Sequence, residues 1–181
     1  MIQPGEIAFA GVSGLDQRMK LIAFWTQRSI MDPFAHEWTL ETVRGCPTKD
    51  DACEINAVFR RLKETVRYAY HPRGLDRFQT LGATLRLRSG DCDNMTVALN
   101  TALHILGYAV GARIVSSDGT AWEHVYGLIG LPRNDPTYAL PLDLTVGPDL
   151  TPASAVPGFE LPLARMAAWR DFWFDFAPLK G

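Results

Sequence analysis

Arg88-Ser89-Gly90-Asp91-Cys92-Asp93-Asn94 runs straight into an apolar stretch from Met95 to Leu106, which Gly107 ends. A turn signal followed by an apolar-periodic run predicts a helix with Cys92 in its first turn. Unpaired backbone N–H groups and the positive end of the helix dipole favour a thiolate at that place. The thiolate is the nucleophilic form, so this is where a thiol enzyme would keep its reactive group. The plain alternative is a small buried cysteine. Two aspartates flank the thiol, and both would raise its pKa unless they point away or are outweighed. Asp93 and Asn94 also suit a first helical turn.

A base and an orienting acid follow in the chain. Trp122 to Ile129 reads as a strand containing His124, and Tyr138 to Thr145 as a second strand containing Asp143. A thiol on a helix, a base on a strand and an acid on the next strand is the layout of Cys-His-Asp chemistry. Cys92 is the expected nucleophile, His124 the base, and Asp143 the group that orients the imidazole. The oxyanion of the intermediate needs donors; the Cys92 backbone N–H is one, and Gln79 in the upstream loop is the candidate for the other. Trp122 reads either as a wall of the cleft near His124 or as core. His104 lies twelve residues along the same helix as Cys92, about 18 Å away, and cannot serve it.

Gly90-Asp91-Cys92-Asp93-Asn94, its helix with Leu106-Gly107-Tyr108, the strand Ala112-Arg113-Ile114-Val115, His124-Val125-Tyr126 and Leu142-Asp143 together resemble the transglutaminase-like superfamily, relatives of the papain-like thiol enzymes. The lead-in from Val66-Arg67-Tyr68 through His71-Pro72-Arg73-Gly74 to Thr84-Leu85 is similar to bacterial and phage-borne members. The resemblance spans roughly residues 50 to 146. It implies a catalytic helix packed on a small antiparallel sheet, and a thiol hydrolase or acyl transferase acting on amide bonds through Cys92, His124 and Asp143.

At 181 residues the chain predicts a single domain with a real core. Apolar residues make up 47 % and charged residues 21 %, which excludes a disordered composition. The formal charge of −2 offers no nucleic-acid footprint, and no stretch has the length of a membrane span. A cytoplasmic protein is the expectation, with association to a phage particle as a variant of it. Three cysteines form no paired framework; Cys46 and Cys53 read as structural, at a spacing not diagnostic of a bridge. His36, His71, His104 and His124 are scattered, so no metal and no cofactor are expected.

Helical spacing begins after Gly14 through Met19, Ile22 and Trp25, stops at Asp32-Pro33, and returns weakly around Trp38, Leu40 and Val43. Thr48 and Asp51 form a capping-box-like start to a helix carrying Ala52, Ile55, Phe59, Leu62 and Val66. Gly74 to Gly90 reads as an irregular loop. Strands are expected at 112–116, 121–129 and 138–146, so a helical half precedes an antiparallel half and the fold class is α+β. The parts are an N-terminal helical segment 1–47, a core about 48–146, and a tail 147–181. In the tail, a proline-rich connector at 147–158 precedes an aromatic C-terminal helix through Met166, Trp169, Trp173 and Phe176. That helix is either docked on the domain or an anchor for a partner or a second copy.

Two functions compete. One is a cysteine-dependent enzyme cutting or transferring amide bonds in a protein or peptide substrate. The other is a non-catalytic structural or interaction module of a phage or prophage particle on the same fold. The enzyme predicts a Cys92–His124 contact in an open cleft; the module permits a buried thiol. A thiol-redox protein is disfavoured because no resolving cysteine lies near Cys92 in sequence.

Overall fold

A computed structural model describes residues 5–9, 14–70, 76–145 and 166–176. In chain order the elements are β1 (Glu6–Phe9), α1 (Leu15–Ile30), α2 (Pro33–Val43), α3 (Asp51–Thr65), β2 (Arg67–Tyr68), β3 (Asp76–Gln79), α4 (Leu81–Leu87), β4 (Ser89–Gly90), α5 (Cys92–Ile105), β5 (Val110–Ser116), β6 (His124–Leu131), β7 (Tyr138–Leu142) and β8 (Ala168–Trp173). The main sheet is antiparallel in the order β7-β6-β5-β8, with β1 paired to β3 and β2 to β4 in two small ribbons. The fold is α+β, as the order of patterns predicts.

Helix α5 is the centre of the molecule. Every residue from Cys92 to Leu103 is buried, so the helix has no solvent face. One core cluster takes Met95, Ala98, Leu99, Ala102 and Leu103 against α3, α4, β6 and β7. A second takes Cys92 and Val97 against Met19, Ile22 and Trp25 of α1, Phe78 of β3, and Ala112, Ile114 and Val125 of the sheet. Fully burying one such aliphatic side chain contributes about 1.5–3 kcal/mol. Gly127 lets the helix sit directly on β6: a Cβ there would meet Leu99 Cδ2 at 2.8 Å and Asn100 Oδ1 at 3.1 Å.

The helix starts follow local chemistry. Asp32 accepts a hydrogen bond from the Phe34 amide at 3.0 Å, with Pro33 in the first turn of α2. The cap of α3 is Asp50, accepting from the Cys53 amide at 2.9 Å, and not Thr48 as the capping-box pattern suggests. Thr80 caps α4, and Ser29 Oγ accepts from the Leu81 amide at 2.9 Å, tying α4 to α1. The stretch expected to be an irregular loop up to Gly90 therefore contains β3, α4 and β4; each is too short to show a period. Residues 71–75, with the expected His71-Pro72-Arg73-Gly74 turn, lie outside the described residues, as does the connector 147–158.

Two expectations are corrected. The C-terminal aromatics lie on a strand: β8 pairs antiparallel with β5, Gly111 opposite Trp173 and Arg113 opposite Asp171. A stripe at 166, 169, 173 and 176 fits a helix, but Trp169, Asp171, Trp173 and Arg170, Phe172, Phe174 also alternate, and aromatics favour strands. Arg113, 8 % exposed, decides the register by a forked ion pair to Asp171 at 2.6 and 2.8 Å and by stacking on Trp169. A partner anchored on an aromatic helix thereby loses its helix. The second correction is that Cys46 and Cys53 form a disulfide, at the entry to α3, leaving Cys92 as the free thiol. No helix among the described residues is long and apolar enough to cross a membrane.

Both corrections are measurable. Thiol titration of the denatured, unreduced protein is expected to count one thiol, rising to three after reduction; three before reduction would exclude the bridge. A Cβ on Gly111 would collide with the Phe172 carbonyl oxygen, so Gly111→Ala is expected to cost about 1–3 kcal/mol. Hydrogen exchange should then show selective loss of protection at the Ala167 and Phe174 amides, which donate to Ser116 and Val110.

Candidate active site

Cys92 occupies the first position of α5 because Asp91 caps the helix. The Asp91 carboxylate accepts from the Asn94 amide at 3.1 Å, and the Asp91 carbonyl accepts from Met95 at 2.9 Å. The Cys92 N–H thus lies among the helix-terminal amides that have no intrahelical acceptor. The flanking carboxylates both have other work. Asp91 is folded back as the cap, and Asp93, 1 % exposed, pairs with Arg18 of α1 at 3.2 Å. Arg18 also holds Asp76 at 3.1 Å. Burial opposes the Arg18 charge, but Asp93, Cys92, Asp76 and Asp91 more than offset it and leave its pKa raised.

The thiol itself is 7 % exposed. Burial first, then Asp93 and Asp91, push the Cys92 thiol far above the ordinary cysteine range, while a backbone hydrogen bond at Val125 and the Arg18 charge pull the other way. The resting group is a protonated thiol, contrary to the thiolate expected at a helix start. Desolvation is why: the helix terminus that would stabilise the anion is itself closed off from water. The space bounded by Cys92, Thr96, Val125, Tyr126, Asp143 and Thr145 has no room for a water molecule.

His124 and Asp143 are brought together as their order predicts. His124 Nε2 lies 2.7 Å from Asp143 Oδ2, and Asp143 is fully buried. Its other oxygen accepts from the Thr145 amide at 2.8 Å and the Thr145 hydroxyl at 2.7 Å. Asp143-Leu144-Thr145 is therefore an Asx-type turn that fixes the carboxylate. Thr145 Oγ1 also stands 3.2 Å from His124 Nε2. With Nε2 committed, Nδ1 is the imidazole nitrogen left for a substrate or thiol proton. Cys92 meets this strand at Val125, the residue after His124. Thr96 Oγ1 reinforces the junction, donating to Cys92 O at 2.8 Å and lying 3.4 Å from Val125 O.

The other candidates fall as follows. Gln79 is 3 % exposed; its Nε2 donates to Glu6 Oε1 at 3.2 Å and its Oε1 accepts from Thr84 Oγ1 at 3.1 Å. Trp122 is 38 % exposed, so it is not core; it lines a cavity of about 160 Å³ with Gly14, Leu15, Arg18 and Ile114, whose lining does not include His124. His104 packs edge-on against Phe176 far along α5, and His36 Nε2 sits 2.7 Å from the Ile30 carbonyl at the end of α1. No cluster of possible metal ligands occurs among the described residues.

Sequence reading missed Arg18 and Thr145. Tyr68, on β2, has its pKa raised by burial first and then by the nearby Cys92. Nothing in the local pattern marks Arg18, whose partner Asp93 is 75 positions away; Thr145 was recoverable from the Asp-x-Thr turn.

The electrostatics make a pH prediction. The folded protein holds the Cys92 thiol protonated, whereas an unfolded cysteine ionises near ~8.5. This contribution to stability is complete below that pH and is lost progressively as pH rises above it. Alkylation of native Cys92 by iodoacetamide is accordingly expected to be slower than that of free cysteine at pH 7 and to keep rising through pH 9. Asp93→Asn, which removes a nearby carboxylate, should accelerate it, and Arg18→Met should slow it. Equal rates in all three proteins would contradict the assignment.

No family model and no curated protein matches the chain. A solved structure of a "putative protease" from Parabacteroides distasonis is similar over 70 % of this chain, at 10 % identity and a TM-score of 0.50. The chain spans only about a quarter (26 %) of that protein's length. At this identity the likeness is one of fold alone, a mixed α+β arrangement.

Proposed function

We propose that the protein is a cysteine-dependent enzyme acting on amide bonds, a peptidase, amidase or acyl transferase of the transglutaminase-like type. The observation that carries this reading is the 2.7 Å His124–Asp143 pair, built beside the helix start that holds the free thiol. A buried carboxylate saturated by Thr145 and an imidazole is an orienting device with one ring nitrogen to spare. The structural neighbour's name, a protease, is compatible with the same reading.

The chemistry would run as follows. Cys92 Sγ bonds to the carbonyl carbon while its proton passes to His124 Nδ1. The oxyanion is held by the Cys92 N–H and a second donor. The C–N bond then breaks, and the leaving amine takes the proton from His124. Water, or an amine in a transferase, attacks the thioester with His124 as base; the C–S bond breaks and the thiol regains its proton. Asp143 keeps Nε2–H pointing inward and stabilises the imidazolium. Because the resting thiol is buried and protonated, transfer to His124 is coupled to substrate entry. The substrate is a protein or peptide, and no cofactor is needed.

The buried thiol specifically favours the second reading, a structural or interaction module of a phage or prophage particle. An electrophilic thiol probe with peptide mapping separates the two. The enzyme predicts a slow modification of Cys92 that depends on His124 and is lost in His124→Ala, and a drop on the order of 10⁴ in turnover for Asp143→Asn. Unreactive Cys92, or labelling indifferent to His124, would leave the module.

A further inference from the structure

We propose that the cavity between the start of α1 and strand β5 is the side-chain pocket for the acyl residue of a peptide substrate. It takes an uncharged side chain about the size of a phenyl ring, with Trp122 as its outer wall. The inference rests on the reading of Cys92 as a nucleophile and deepens it by naming what the site selects. Leu15, Ile114 and Trp122 give the cavity three apolar walls, and Gly14 and Arg18 complete its lining. Its volume of about 160 Å³ is close to that of an engineered apolar cavity of about 150 Å³ that admits benzene. Nothing fills it from Gly14, where an added Cβ would meet no atom within 4 Å. The Arg18 guanidinium does not call for an anion, because Asp76 at 3.1 Å and Asp93 at 3.2 Å already balance it.

Two sets of contacts put this cavity beside the candidate site. On the helix side, Arg18 lines it and is bonded to Asp93, the residue that follows Cys92. On the sheet side, Ile114 packs in one core cluster with Cys92 and Val125, and its neighbour Val115 pairs with His124. Trp122 precedes His124 by two positions. A second cavity, of about 540 Å³, shares Gly14 and Leu15 with the first and is otherwise lined by Asp16, Gln17, Lys20 and Arg170. An apolar hole beside a polar groove suits an amino-acid side chain and the hydrogen-bonding backbone attached to it. A small amide would use the hole alone, so the pair of cavities favours a peptide.

Acylation of Cys92 by the p-nitrophenyl esters of N-acetylphenylalanine, N-acetylglycine and N-acetylglutamate tests this. In each case Sγ takes the acyl group and p-nitrophenolate leaves. With every rate divided by that of the same ester with free cysteine, the phenylalanine ester is expected to react about 10–100-fold faster than the glycine ester. The glutamate ester should show no such gain. Trp122→Ala, which removes a wall, and Leu15→Phe, which fills the cavity, should each bring the phenylalanine-to-glycine ratio towards one. A ratio near one in the wild type, a ratio that neither substitution changes, or a preference for glutamate would overturn the proposal. NMR titration with N-acetylphenylalaninamide separates the pocket from the chemistry. It is expected to shift the Ile114 methyl and Trp122 indole N–H signals, which N-acetylglycinamide should leave in place, and absence of those shifts also overturns the pocket. Failure of wild-type Cys92 to react with any of the esters, with the shifts present, would instead overturn the nucleophile reading.

Discussion

The site depends on the burial of α5 from Cys92 to Leu103. A helix apolar or uncharged on nearly every face from Met95 to Leu103 can only be the central element of its domain. The sheet, α1, α3 and α4 are arranged by their need to cover it. Because two separate clusters meet on this one helix, its rotation and depth are set from both sides, and so is the position of its first residue. Gly127 brings β6 onto the helix at close range. Cys92 is therefore fixed relative to the start of β6, where His124 stands.

That same burial sets the electrostatic problem the site must solve. A thiol at a helix start should ionise readily, yet here desolvation and two carboxylates outweigh the Val125 backbone hydrogen bond and the Arg18 charge. Asp91 is needed as a cap, and Asp93 is needed to anchor Arg18 of α1, so neither can be dispensed with cheaply. The arrangement trades resting reactivity for a firmly located sulfur. On the proposed function the thiolate exists only while His124 accepts its proton, which confines reactivity to the occupied site.

Much of this was legible in the chain. Helices α1, α3 and α5 show three- and four-residue spacing, and Gly107 and Asp32-Pro33 end the runs where the structure does. Cys92, His124 and Asp143 were picked out through order, element type and the family resemblance, and the last two meet. What escaped has physical reasons. Trp169 and Trp173 satisfy both a helical and an alternating period, and only the partner Arg113, far away in sequence, selects the strand. β3, α4 and β4 are shorter than any period needs. The Cys46–Cys53 bridge joins a turn to a helix, where spacing carries no signature. Arg18 acts through contacts with residues distant in sequence, which no local pattern encodes.

The central claim is that Cys92, His124 and Asp143 form one chemical unit. Intact-mass spectrometry of the protein mixed with a p-nitrophenyl ester at neutral pH tests it most directly. The account predicts a single acyl group per chain, mapped to Cys92 and absent in His124→Ala. Acyl groups only on lysines, or acylation of Cys92 that survives His124→Ala at full rate, would contradict it.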